Sequence, residues 1–163
     1  MKGFTPGLLD RLMDGPVNGA SSAVVKRMSV EELKDSVARD LEALLNTRTV
    51  IEEGFLKRYP ECSRSIYTYG LNDFAGRSLS STDDRAYICM CLEKAIARHE
   101  PRLRNVKASL EVKEDSINSL NFAITALMVV STSQEPVNFD AVLQPSSLHY
   151  TISKARRAAS SGA

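Results

Sequence analysis

At Pro101 the hydrophobic period of this chain changes from 3.6 residues to 2, and that switch restricts the folds it can adopt. Before the proline, two segments carry apolar residues at helical spacing: Val30, Leu33, Val37, Leu41, Leu44 and Leu45, then Ile88, Leu92, Ala95 and Ile96. Each opens on a cap. Ser29-x-x-Glu32 is a capping box, and Ser81-x-x-Asp84 repeats the signal. After the proline, Val106, Ala108, Leu110 and Val112 alternate with Lys107, Ser109, Glu111 and Lys113. The alternation recurs over 120–130, 137–143 and 148–152, with turn chemistry at 115–119, 131–136 and 144–147. Helices followed by a run of strands predict an α+β fold: an antiparallel β-meander with amphipathic helices packed on one face.

The flanks have a different composition. Residues 13–28 are rich in Gly, Ser, Ala and Asn and read as a linker behind a short segment, Leu8-Leu9-Asp10-Arg11-Leu12. The expected organisation is an N-terminal docking arm and linker over 1–28, an α+β domain over 29–153 and a disordered C-terminal tail over 154–163. Residues 47–80 are loop-rich, with Tyr67, Tyr69, Leu71 and Phe74 expected to pin them to the body.

The totals exclude several classes of function. A net charge of +1 recruits neither nucleic acid nor an anionic membrane. No apolar run approaches the ~20 residues that span a bilayer, so direct membrane insertion is not expected, and the N-terminus shows no signal-peptide pattern. Cys62, Cys89 and Cys91 lack framework spacing and read as buried thiols in a reducing, cytoplasmic setting. His99 and His149 are the only histidines, and His149 lies out of phase with the apolar face of its strand. The sequence marks no catalytic, cofactor-binding or metal site.

The joint between the two periods is His99-Glu100-Pro101-Arg102-Leu103. Proline lacks an amide hydrogen and pushes Glu100 out of helical space, so the chain is expected to leave extended. Residues two apart then share a face, which puts Glu100 and Arg102 side by side. Such a pair can grip another surface through charge-assisted hydrogen bonds, or it can close a local ion pair. As an acid catalyst Glu100 is poorly served, because Arg102 beside it favours the charged form.

Read jointly, several motifs resemble one family. They are Leu8-Leu9-Asp10-Arg11-Leu12, Val37-Ala38-Arg39-Asp40-Leu41-Glu42-Ala43-Leu44-Leu45-Asn46-Thr47-Arg48, Tyr69-Gly70-Leu71-Asn72-Asp73-Phe74-Ala75-Gly76, Glu100-Pro101-Arg102-Leu103 and Val137-Asn138-Phe139-Asp140. In that order they resemble the TssE subunits of type VI secretion baseplates, within the contractile-tail wedge proteins once labelled lysozyme-related. The family's arm usually reads Leu-Phe-Glu-Arg-Leu, whereas Leu9 and Asp10 stand here in place of the aromatic and the glutamate. It usually has proline where Asn72 stands.

The resemblance implies a non-enzymatic wedge component that joins TssF and TssG, with TssK beneath, and on which the TssB–TssC sheath starts. It would act in the cytoplasm, in a baseplate docked at the inner-membrane complex. It also implies that Glu100, Pro101 and Arg102, together with the arm Leu8, Leu9, Asp10, Arg11 and Leu12, bind partners. The last strand, ending the meander, would offer its edge to the sheath by β-augmentation. Two other readings stay open: a peptidoglycan hydrolase, and a stand-alone regulatory adaptor on the same fold.

Overall fold

The computed structural model describes residues 10, 27–51, 53–74, 76–78, 81–111, 120–130, 133–144 and 146–154. Leu8, Leu9, Arg11 and Leu12, nearly all of the expected linker, and the tail from Ala155 onward lie outside the described residues. Helix α1 runs Val30–Asn46, short α2 Glu53–Arg58 and α3 Thr82–His99. Two 3₁₀ turns, Pro60–Arg64 and Ile66–Thr68, follow α2. Strands β1 (Leu103–Glu111), β2 (Leu120–Val130), β3 (Ser133–Gln144) and β4 (His149–Lys154) pair in sequence order, each antiparallel to the next.

The caps form as the sequence implies. Ser29 Oγ accepts from the Glu32 amide (3.2 Å) while Glu32 accepts from the Ser29 amide (2.7 Å), closing the box at the start of α1. Ser81 Oγ accepts from the Asp84 amide to start α3. The apolar stripe of α1 (Leu33, Val37, Leu41, Leu44, Leu45) and that of α3 (Ile88, Leu92, Ala95, Ile96) are buried against one sheet face. There they meet Phe122, Ile124 and Met128 of β2, and Val137, Phe139 and Ala141 of β3.

The structure departs from the sequence reading at several points. Glu100–Leu103 is a tight turn, not an extended segment: the Leu103 amide donates to the Glu100 carbonyl at 3.1 Å. Proline's fixed φ suits the second position of such a turn. Asn105 has φ 51°, and the register slips between Arg104 and Lys107. That bulge lets Leu103 and Val106 both face the core although they stand three positions apart. Strand β3 begins at Ser133 and runs through Pro136, which the sequence placed in a turn. Leu148, expected on an apolar face, sits at φ 53° in the β3–β4 turn and is exposed. Tyr67 is 70% exposed, whereas Leu71, Tyr69 and Phe74 do pack on the core. The three cysteines are half-buried rather than buried. Lys154 is the last residue of β4, not the first of a tail.

Leu71 anchors the irregular stretch to the end of α1. It bridges Arg48 in parallel, donating to the Thr47 carbonyl and accepting from the Thr49 amide, both at 2.9 Å. Gly70 precedes it at φ 117°, where a Cβ would lie 2.5 Å from the Thr47 carbonyl oxygen. Only glycine fits there without moving backbone.

Candidate functional site

The joint after α3 is turned inward. Glu100 is only 4% exposed. Its Oε1 accepts from Arg102 Nε at 2.7 Å and from the Arg102 amide at 3.1 Å, and its Oε2 accepts from Arg102 Nη2 at 2.5 Å. The tight turn over Pro101 makes this fork possible between residues only two apart. Nη2 also donates to Asp40 Oδ2, and Nη1 donates to Ser36 Oγ at 3.2 Å. The guanidinium therefore clamps the start of β1 to the middle of α1.

Electrostatics hold the clamp shut. Burial opposes the charge on Arg102, but the Glu100 and Asp40 carboxylates outweigh it and hold the guanidinium above its ordinary pKa. Burial, followed by those same two carboxylates, raises the pKa of Tyr69. His99 packs against Tyr69 edge to face, ring centroids 5.4 Å apart, and donates from Nε2 to the Thr68 carbonyl at 2.8 Å. Burial holds its pKa below the usual histidine value, against the opposing Thr68 hydrogen bond.

Asp10 brings the arm into the same network. Ser36 Oγ lies 2.9 and 3.0 Å from its two carboxylate oxygens, and Arg39 Nη2 donates to Oδ1 at 3.1 Å. The hydroxyl of Ser36 donates to Asp10 and accepts from Arg102, so it relays the arm to the joint. Pro101 itself is exposed over the turn.

Of the expected site residues, the structure thus gathers Asp10, Glu100 and Arg102 into one cluster with Pro101 beside it. Ser36 and Asp40 were missed as site residues. They stand at i and i+4 beside the apolar stripe of α1, and a polar pair flanking buried leucines was the signal available. Neither can be linked to Arg102, more than 60 positions later, by spacing alone.

A four-stranded meander backed by two long helices, with a polar clamp between α1 and the start of β1, defines a small α+β domain. The chain belongs to the gp25 family of baseplate wedge proteins, whose profile matches residues 31–133. Among curated relatives, it is 29% identical over 121 residues to the anti-adapter protein IraD of Escherichia coli O6:K15:H31 (strain 536), covering 74% of this chain and 83% of that protein. The IraD of E. coli O127:H6 (strain E2348/69) is 28% identical over the same coverage.

Proposed function

We propose that this protein is a non-enzymatic structural subunit of a type VI secretion baseplate wedge. In this reading it binds TssF and TssG, with TssK beneath, and primes the TssB–TssC sheath. It works in the cytoplasm, in a baseplate docked at the inner-membrane complex. The observation that carries the reading is membership of the baseplate wedge family across both long helices and the first two strands. The joint supports it. Both oxygens of Glu100 are taken by Arg102, so neither is free to reach a substrate, which disfavours the peptidoglycan hydrolase. Asp10 and the exposed Pro101 turn lie beside one cluster, and in this reading they meet a partner together.

Co-purification tests it. Tagged full-length chain should retain TssF–TssG, and removing residues 1–12 should weaken that retention while leaving the domain folded. Absence of binding by the full chain would sink the reading. It would favour the second one, a regulatory adaptor, which draws support from the similarity to proteins named as anti-adapters. That alternative expects a monomer with no affinity for TssF–TssG.

A further inference from the structure

Helix α1 is occupied on two sides. Its leucine face lies in the core, and its flank laces the outer edge of β4: Asn46 bonds both the amide (2.8 Å) and the carbonyl (2.9 Å) of Tyr150, and Glu42 accepts from the Ile152 amide (2.9 Å). Helix α3 differs, because it carries a second apolar flank that the sheet does not use. Ile88, Leu92, Ala95 and Ile96 are buried, whereas Tyr87, Met90 and Cys91 stand off that stripe and Met90 is 51% exposed. With Lys94 and Arg98 they follow helical spacing over three turns, about 16 Å at 1.5 Å per residue. This flank forms one wall of a groove of about 150 Å³, and the irregular stretch forms the other through Ile51, Leu56 and Leu71.

The surroundings of the groove are more apolar than a solvated face requires. Val50, between the lining residues Thr49 and Ile51, is 93% exposed. Tyr67, next to the lining Thr68, is exposed as well. Phe55 and Tyr59, both exposed, flank Leu56 in the chain and stack with ring centroids 5.0 Å apart. Exposed apolar side chains gathered around recessed ones mark an interaction site. The recess is smaller than the ~300 Å³ of ordinary small-molecule pockets, so it suits the side chains of a macromolecule better than a free ligand. Its edge is cationic. Lys94 and Arg98 line it, and Lys57 and Arg58 follow Leu56 in the last turn of α2. Among the described residues Lys57, Arg58 and Arg98 enter no ion pair. The exposed acids of the neighbouring stretch are Glu61 and Asp73.

We propose that the groove between α3 and the α2 stretch docks an amphipathic helix of a partner protein, apolar on the face it buries and acidic on its flanks. Charge selects this occupant. A second copy of this chain would set Lys57, Arg58 and Arg98 against their own like charges. The chain's C-terminal segment carries Arg156 and Arg157 and is repelled in the same way. The one acid of the arm motif, Asp10, is already held by Ser36 and Arg39 of α1. A bilayer surface takes apolar groups that protrude, whereas Ile51 and Leu56 are half-buried in the groove and Leu71 and Ala95 are buried there. A helix fits on geometry: its ridge of side chains runs along three turns of α3, and Met90 can adapt its shape to them. Its acidic flanks then lie against the cations of the edge. The site does not rest on the baseplate reading.

Peptide titration of the isotope-labelled full-length chain tests it. Two synthetic helical peptides of about 18 residues share one leucine face and differ only in having Glu or Lys on their flanks. The Glu-flanked peptide should shift the amide signals of Leu56, Met90 and Cys91, and at low salt it should bind at least about tenfold tighter than its Lys-flanked twin. Met90→Glu, at an exposed position, should leave the denaturant midpoint unchanged and weaken the Glu-flanked peptide by about tenfold or more. Arg58→Glu combined with Arg98→Glu should reverse the preference between the two peptides, and Lys57→Glu replaces Arg98→Glu if that variant does not fold. No binding, amide shifts confined to other surfaces, or a preference that ignores the charge reversal overturns the proposal. Two further results also overturn it. Co-sedimentation with phosphatidylglycerol vesicles that Met90→Glu abolishes, without peptide binding, assigns the surface to a membrane. A dimer in analytical ultracentrifugation that Met90→Glu dissolves assigns the groove to a second copy. Failure of the wild-type chain to retain TssF–TssG would sink only the baseplate reading, because the peptides judge the groove by themselves.

Discussion

Arg102 holds three elements with one side chain, so its loss acts on stability before it acts on any partner. Arg102→Ala leaves Glu100 buried with its carboxylate unpaired, and the domain should lose about 2–4 kcal/mol in denaturant unfolding. Glu100→Gln in the same chain removes the stranded charge, so the double variant should be more stable than Arg102→Ala alone. Equal midpoints for the two would show that the pair is uncoupled. Arg102→Lys should rescue only in part, because an ammonium cannot reproduce the fork to both Glu100 oxygens.

His99 gives the joint a pH dependence. Its folded-state pKa lies below histidine's ordinary value, set first by burial. Its contribution is therefore complete above the unfolded value and is lost as pH falls through the folded one, because the unfolded chain takes up the proton first. The melting temperature should fall more for wild type than for His99→Gln between about pH 7.5 and about pH 5. Parallel curves would place the proton uptake elsewhere.

At the scale of elements, α1 does two jobs with two faces. One face fills the core, and the flank carrying Glu42 and Asn46 takes the place of a neighbouring strand for β4. Asn46→Ala strips the Tyr150 amide and carbonyl of their partner and should cost about 1–2 kcal/mol. Exchange at the Tyr150 amide should quicken while Thr151, whose backbone faces β3, keeps its protection. If both amides respond alike, β4 detaches as a unit and the lacing is not local. A proline at Thr151 would break the domain's own ladder with β3, because the Thr151 amide faces Val142 and not the outer edge.

The legible elements were those whose period is set locally. Helices α1 and α3 announced themselves through caps and stripes, and β2 through apolar residues at every even position from Leu120 to Val130. The start of β3 was hidden because Pro136 reads as a breaker; its nitrogen lies on the side of β3 away from β2, so the β2 ladder loses no bond. The bulge at Asn105 and the left-handed Leu148 answer to closure of the sheet, and neither leaves a periodic trace. At the joint, the partnership of Glu100 with Arg102 was readable; the inward turn of the pair was not. Its partners come from a helix far back in the chain.

On the scale of the whole molecule, the family assignment describes a wedge-family domain whose polar clamp joins Asp10, α1 and the start of β1, so a partner pulling on Asp10 loads the same network that fixes the sheet to α1.

The lacing of α1 to β4 also decides when this chain can finish folding. Asn46 and Tyr150 are 104 positions apart, yet each needs the other. At a synthesis rate of about 5–20 residues per second, α1 emerges roughly 5–20 seconds before the strand its Asn46 flank is laced to exists. Until β2 and β3 have been made its leucine face has no sheet to cover it, and non-local closure of this kind is slow even once the chain is whole. The N-terminal helix is therefore the segment on which a ribosome-associated chaperone has most to gain.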